Sequence, residues 1–183
     1  RVEKPGEYLV INKGEIVPQP GATGSSSYSF LSSRYDLTKV FGMGTVYTAN
    51  PISGEQAVML YAVVTRREEE ITGLTPVQKA AKLGIADVVG RSQLTGYMDN
   101  QSSVSMAVKL YCTKANINPD YMKPSKVIFI ENGNDINSRL YPYVALGVDL
   151  EFISLNNNRF DATGRTTIGN MLDMISKVLE KLD

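Results

Sequence analysis

The chain has 183 residues, 43% of them hydrophobic and 21% charged, with 19 basic side chains balanced by 19 acidic ones. This is the composition of a globular protein long enough to bury a core, and the missing positive excess argues against nucleic acid as a partner. There is no histidine, so neither a Ser-His-Asp nor a Cys-His catalytic arrangement can be assembled. A zinc or copper site would have to rest on carboxylates and one cysteine. No metal, cofactor or enzymatic activity is expected.

No stretch approaches the ~20 apolar residues that span a bilayer, so no membrane partner is expected, and no signal peptide is visible. The chain begins at Arg1 without a methionine, as expected of a processed protein or an excised fragment.

Residues 1–26 read as a lead-in. Tyr8–Ile11 and Glu15–Val17 are short strand candidates, and Pro18, Pro20, Gly21, Gly24 and the serines after them read as a linker. Helical periodicity takes over from there. One pattern recurs three times: a helix, a polar loop with an aromatic, a hydroxyl-led start and a second helix. The copies are "RYDLTKVFGMGTVYTANPISGEQAVMLYAVVTRREEE", "LTPVQKAAKLGIADVVGRSQLTGYMDNQSSVSMAVKLYCTK" and "LYPYVALGVDLEFISLNNNRFDATGRTTIGNMLDMISKVLEKL". They divide the chain at 27–70, 71–123 and 124–183. Tyr47, Tyr97 and Phe160 are expected to hold the same place in the three loops, and Tyr47, Tyr97, Tyr141 and Tyr143 read as prong or core packing or as a sugar- or partner-contacting surface.

The second helix of each copy carries an apolar stripe: Val58, Leu60, Tyr61 and Val64; Met106, Val108, Leu110 and Tyr111; Met171, Leu172, Ile175, Val178, Leu179 and Leu182. Ser53 with Gln56 fits a capping box, and Ser103 and Thr167 are expected to cap the other two. "SKVIFIENGNDINS" reads as an extended stretch and turn ahead of the third copy. Cys112 reads as a small buried residue, "TRREEE" as a solvated helix end, and "GATGSSS" as a linker without a phosphate loop's lysine. The oxygen-rich "NDINSR" and "NNNRFD" lack calcium-loop spacing. Helices this short need one another's apolar faces to be stable. The expected fold is therefore mostly α, an array of three units sharing a central bundle.

This unit resembles the S-layer homology (SLH) domain, and three in tandem resemble the trimer of bacterial surface proteins. "YPYVALGVDLEFI" with "RFDATGRTT" in the third copy, "KAAKLGIADVV" in the second and "ANPISGEQAVMLY" in the first carry the likeness. The resemblance implies a three-pronged pseudo-trimer. It also implies an extracellular location at the bacterial cell wall and non-covalent binding of a secondary wall polysaccharide in grooves between prongs. The family's hallmark is Ile-Thr-Arg-Ala-Glu at the start of the second helix, whose arginine reaches the anionic sugar. A guanidinium suits a carboxylate, and a helix N-terminus favours an anion.

Here the arginine is missing. Aligned on the motif, its place falls to Gly54, Val104 and Ile168. The candidate ligand residues implied by the resemblance are Ser53, Gly54, Glu55 and Gln56, then Ser103 and Val104, then Thr167 and Ile168. Gly84 joins them as the family's glycine after the first helix; Gly44 is its candidate in the first copy, and Glu151 replaces it in the third. Arg91, Arg159 and Arg165 are the candidate compensating cations. Anchoring to a wall polysaccharide is the first expectation. A protein-interaction or structural module that has dropped the polymer is the alternative.

Overall fold

The computed structural model describes residues 25–183. The strand candidates at Tyr8–Ile11 and Glu15–Val17 lie outside the described residues. The described chain is mostly helical: α1 Ser25–Ser32, α2 Thr38–Phe41, α3 Gly54–Thr65, α4 Pro76–Leu83, α5 Arg91–Leu94, α6 Asn100–Ala115, α7 Tyr141–Asp149 and α8 Ile168–Glu180, with single 3-10 turns between some of them. No sheet forms among the described residues; strand-like pairing is limited to isolated bridges.

The serines at 25–27, expected to belong to a linker, start α1 instead. The reason is tertiary. Leu31 is fully buried, α1 lies along α8, the Ser27 hydroxyl donates to the Asp173 carboxylate, and Arg34 pairs with Asp183 at 2.7 Å. The first of the described helices is thereby tied to the last.

The apolar stripes of α3, α6 and α8 are in the core as their spacing demands. Val58, Leu60, Tyr61, Met106, Val108, Leu110, Met171, Leu172, Ile175 and Val178 are all buried, with Tyr111 and Leu182 packed at its edge. Each such side chain contributes about 1.5–3 kcal/mol on leaving water. α6 packs on α3, α7 and α8, and α4 lies on α3. The segment before α7 forms no regular element over residues 123–130, then turns through Glu131 to Asp135.

The most ordered polar feature is a ring of backbone hydrogen bonds at the starts of α3, α6 and α8. Ile52 N–H donates to Thr166 C=O, Thr166 N–H to Met98 C=O, and Met98 N–H to Ile52 C=O, all at 3.0 Å. A second ring surrounds it: Gly54 N–H to Gly96 C=O, Asn100 N–H to Gly164 C=O, and Ile168 N–H to Asn50 C=O. The outer ring satisfies the first N–H group of each helix, which the helix itself leaves unpaired. The two rings also set the structural correspondence: 52 with 98 and 166, and 54 with 100 and 168.

Candidate functional site

The three helix starts are the candidate site, and the rings show how each is built. α3 is capped by a reciprocal box. The Ser53 hydroxyl accepts from Gln56 N–H at 3.1 Å, and the Gln56 side chain accepts from Ser53 N–H at 3.0 Å. α8 is capped by Thr167, whose hydroxyl accepts from Asn170 N–H. Both match the sequence expectation.

The second start does not. α6 begins at Asn100, capped by Asp99, whose carboxylate accepts from Ser102 N–H at 2.8 Å. Ser103 is no cap. It lies inside the helix, fully buried, and its hydroxyl has no partner among the described residues. Val104 likewise leaves the expected arginine position. It is a packing residue 1% exposed, at the point where α7 comes so close that a Cβ on Gly147 would sit 2.4 Å from Val104 Cγ1. The serine run "QSSVS" suggested a later start; buried Met98, pinned in the ring, sets the earlier one.

The arginine positions are therefore Gly54, Asn100 and Ile168, and each is used structurally. A Cβ on Gly54 would lie 2.0 Å from the Gln93 carbonyl oxygen and 2.8 Å from Leu94 Cα. This is backbone that cannot move aside, so no side chain fits at 54. Asn100 donates from its amide to Asp161 C=O at 2.9 Å and accepts from the Thr166 hydroxyl at 2.9 Å, which ties α6 to the loop before α8. Ile168 is buried against the core.

Open space remains beside two of the starts. A groove of about 660 Å³ borders α3, lined by Lys39, Asn50, Ser53, Glu55, Gln56 and Tyr97 among others. Lys39 pairs with Glu68 at 2.8 Å, which holds the ammonium above its usual pKa and the carboxyl below its own. Glu55 reaches Lys79 at 3.4 Å. Half-exposed Tyr97 carries the Arg165 guanidinium over its ring at 5.0 Å, a contact that holds a cation at the groove's edge. A second groove of about 380 Å³ borders α8, with Val104, Phe152 and Phe160 apolar and Arg159, Asp161 and Lys177 charged. Beside α6 the space is about 170 Å³, and polar side chains fill its margins. Gln93 donates to Asp99 at 2.8 Å, and Gln101 accepts from Asn137 N–H at 2.9 Å.

Of the other expected residues, Gly84 ends α4 in the left-handed region, φ 75°. Glu151 adopts φ 65° after α7, where a glycine would be unstrained. Gly44 has no positive φ; Gly42 takes that role after α2. Arg91 is exposed on α5, and its side chain has no partner among the described residues. The three aromatics do not hold one place. Phe160 is buried six residues before Thr166, Tyr47 is exposed five before Ile52, and Tyr97 is exposed immediately before Met98. Val46, Leu94 at the end of α5, and Phe160 are the buried apolar residues four to six positions ahead of Ile52, Met98 and Thr166. Arg159, a candidate compensating cation, lines the groove beside α8, whereas Lys39, Asn100 and Lys177 are groove residues that sequence patterns did not single out.

Among the described residues no group of three or more His, Cys, Asp or Glu converges on a metal-sized site, and no helix is long and apolar enough to cross a membrane. Cys112 is buried, and burial raises its thiol pKa, which leaves it unreactive. No protein-family model matches the chain, and no curated protein is detectably similar to it.

Proposed function

We propose that the protein is a non-catalytic, SLH-like module of three tandem repeats in a pseudo-trimeric arrangement, and that it anchors a protein to a polysaccharide of the bacterial cell wall. The cyclic hydrogen bonding among the three helix starts carries this reading. It is what three equivalent units meeting at one axis would make, and open grooves lie beside two of the starts, those of α3 and α8. The first helix of each unit then packs on the second helix of another unit: α4 on α3, α7 on α6, α1 on α8.

The ligand residues of this reading are those of the open grooves rather than the lost arginine positions. Beside α3 they are Ser53, Glu55, Gln56, Tyr97 and the stacked Arg165; an aromatic ring and a guanidinium together suit an anionic sugar. The test is co-sedimentation with purified Gram-positive cell walls before and after chemical removal of the wall polysaccharide. Binding lost on stripping supports anchoring, and Arg165→Ala should then weaken it at least ~10-fold. No binding to either wall overturns it.

A second reading has its own observation. The arginine positions are closed by backbone at Gly54, by internal hydrogen bonds at Asn100 and by burial at Ile168. This favours a module that keeps the fold for structural or protein-binding use, and the same experiment separates the two.

A further inference from the structure

The sequence contains a single Asn-Gly pair, Asn132–Gly133, and the fold uses its side-chain amide as a clasp. Asn132 Oδ1 accepts the Phe160 N–H at 2.9 Å, and Nδ2 donates to the Phe160 C=O at 2.8 Å and to the Asp135 carboxylate at 3.1 Å. Beside this clasp Glu131 N–H donates to Asn158 C=O at 2.8 Å. The turn before α7 is thereby fastened to the tight loop of residues 156–159, whose end residues exchange backbone bonds at 3.1 and 2.9 Å. Phe160 is buried, and with Asn156, Arg159 and Asp161 it lines the groove beside α8. One side-chain amide therefore holds a wall of that groove in place. It is also the amide most open to loss, because a glycine, having no Cβ, leaves its backbone nitrogen free to approach the preceding side chain.

We propose that Asn132 is a site of spontaneous deamidation, held shut by the fold and released by local opening, and that the product undoes the clasp. The reaction needs only water. The Gly133 nitrogen gives its proton to hydroxide and bonds to Asn132 Cγ; the Cγ–Nδ2 bond breaks, and Nδ2 leaves as ammonia. Water then opens the cyclic imide at either carbonyl and leaves an aspartyl or an isoaspartyl residue. The folded molecule restrains both reacting groups. Gly133 N–H is donated to Ile130 C=O at 3.1 Å, and the side-chain amide is fastened to Phe160 at both of its ends. Opening of the turn frees the two together. In the product a carboxylate oxygen stands where Nδ2 donated, facing the Phe160 C=O and the Asp135 carboxylate. Two hydrogen bonds are lost, and the new charge is repelled by both oxygens. Refolding cannot restore them, so the change is one-way. Its consequence for binding rests on the reading of the grooves as ligand sites; the modification and the loosened loop do not.

The test incubates the full chain at alkaline pH with and without denaturing urea and follows each asparagine by peptide mass mapping with an isoaspartyl assay. Asn132 should convert before the other asparagines in urea, and at least ~10-fold more slowly in the folded chain. No conversion at Asn132 in urea overturns the site, and equal rates in the two samples overturn the protection. Asn132→Asp reproduces the aspartyl product without the reaction. At neutral pH its amide exchange at Glu131 and Phe160 should be at least ~10-fold faster than in the parent at the same pH. The difference should close below about pH 4, where a protonated carboxyl donates again. Parent-like exchange at neutral pH, or a difference that persists in acid, overturns the clasp. None of these readouts uses cell walls, so their failure is distinct from a failure of anchoring.

Discussion

The start of α3 and the start of α6 share one backbone plan and differ in everything hung on it. Both enter the same ring of hydrogen bonds at an anchored apolar residue, Ile52 or Met98, and both are capped by the residue that follows. Beside α3 the neighbouring side chains are few and the space opens to about 660 Å³. Beside α6, Gln93, Asp99, Gln101 and Asn137 bond one another, and about 170 Å³ is left. The ring fixes where a groove begins; side-chain polarity decides whether it stays open. In this molecule α6 has spent its start on cohesion, while α3 has kept an accessible surface.

Gly54→Ala should break the α3 half of this contrast with the largest effect. Its Cβ would overlap backbone of the α5 segment, so the helix start or the ring must move. A loss of about 4 kcal/mol or more is expected in chemical denaturation, the range reserved for overpacking and strain. A variant as stable as the parent would mean that α5 is not seated on α3.

Gln101→Ala should come next. The residue is buried and its side-chain carbonyl holds the N–H of exposed Asn137, so its truncation removes that hydrogen bond together with buried packing, at a cost of about 1.5 kcal/mol. It should also admit solvent beside α6, seen as faster amide exchange at Asn137. Ser53→Ala, the corresponding test at α3, removes only a half-exposed cap and should cost about 1 kcal/mol. If the Ser53 loss exceeded that at Gln101, the contrast between an open and a cohesive start would fail.

These same starts show what was legible in the sequence. The stripes on α3, α6 and α8 were, because burial of Leu60, Met106 and Ile175 imposes a 3.6-residue period. So were the caps Ser53 and Thr167, whose partners lie three residues away along the chain. The α6 start was not. Asp99, Ser102 and Ser103 are all plausible caps locally, and only the ring through Met98, closed by residues 46 and 68 positions away, selects Asp99. The closure of Gly54 by Gln93 and the seating of α1 on α8 were illegible for the same reason. They are contacts between distant segments with no local periodicity to announce them. An anchored apolar residue just ahead of each cap, Ile52 and Met98, was the available signal for the true register.

The smallest expected effect concerns the contact of Ser125 with Asp149, the last residue of α7. The Ser125 backbone N–H, and after it the Ser125 hydroxyl, hold the Asp149 carboxyl below its usual pKa. A lowered folded-state value means that the stabilisation is fully present above the unfolded carboxyl pKa, about 3.9, and is lost as pH falls through the folded value. The carboxylate is exposed, so the gain is modest. Asp149→Ala should lower the thermal midpoint slightly at pH 7, and the gap between variant and parent should close as the pH drops below about 4. A midpoint gap that persists unchanged at pH 2 would show that Asp149 acts through packing at the end of α7 rather than through its charge.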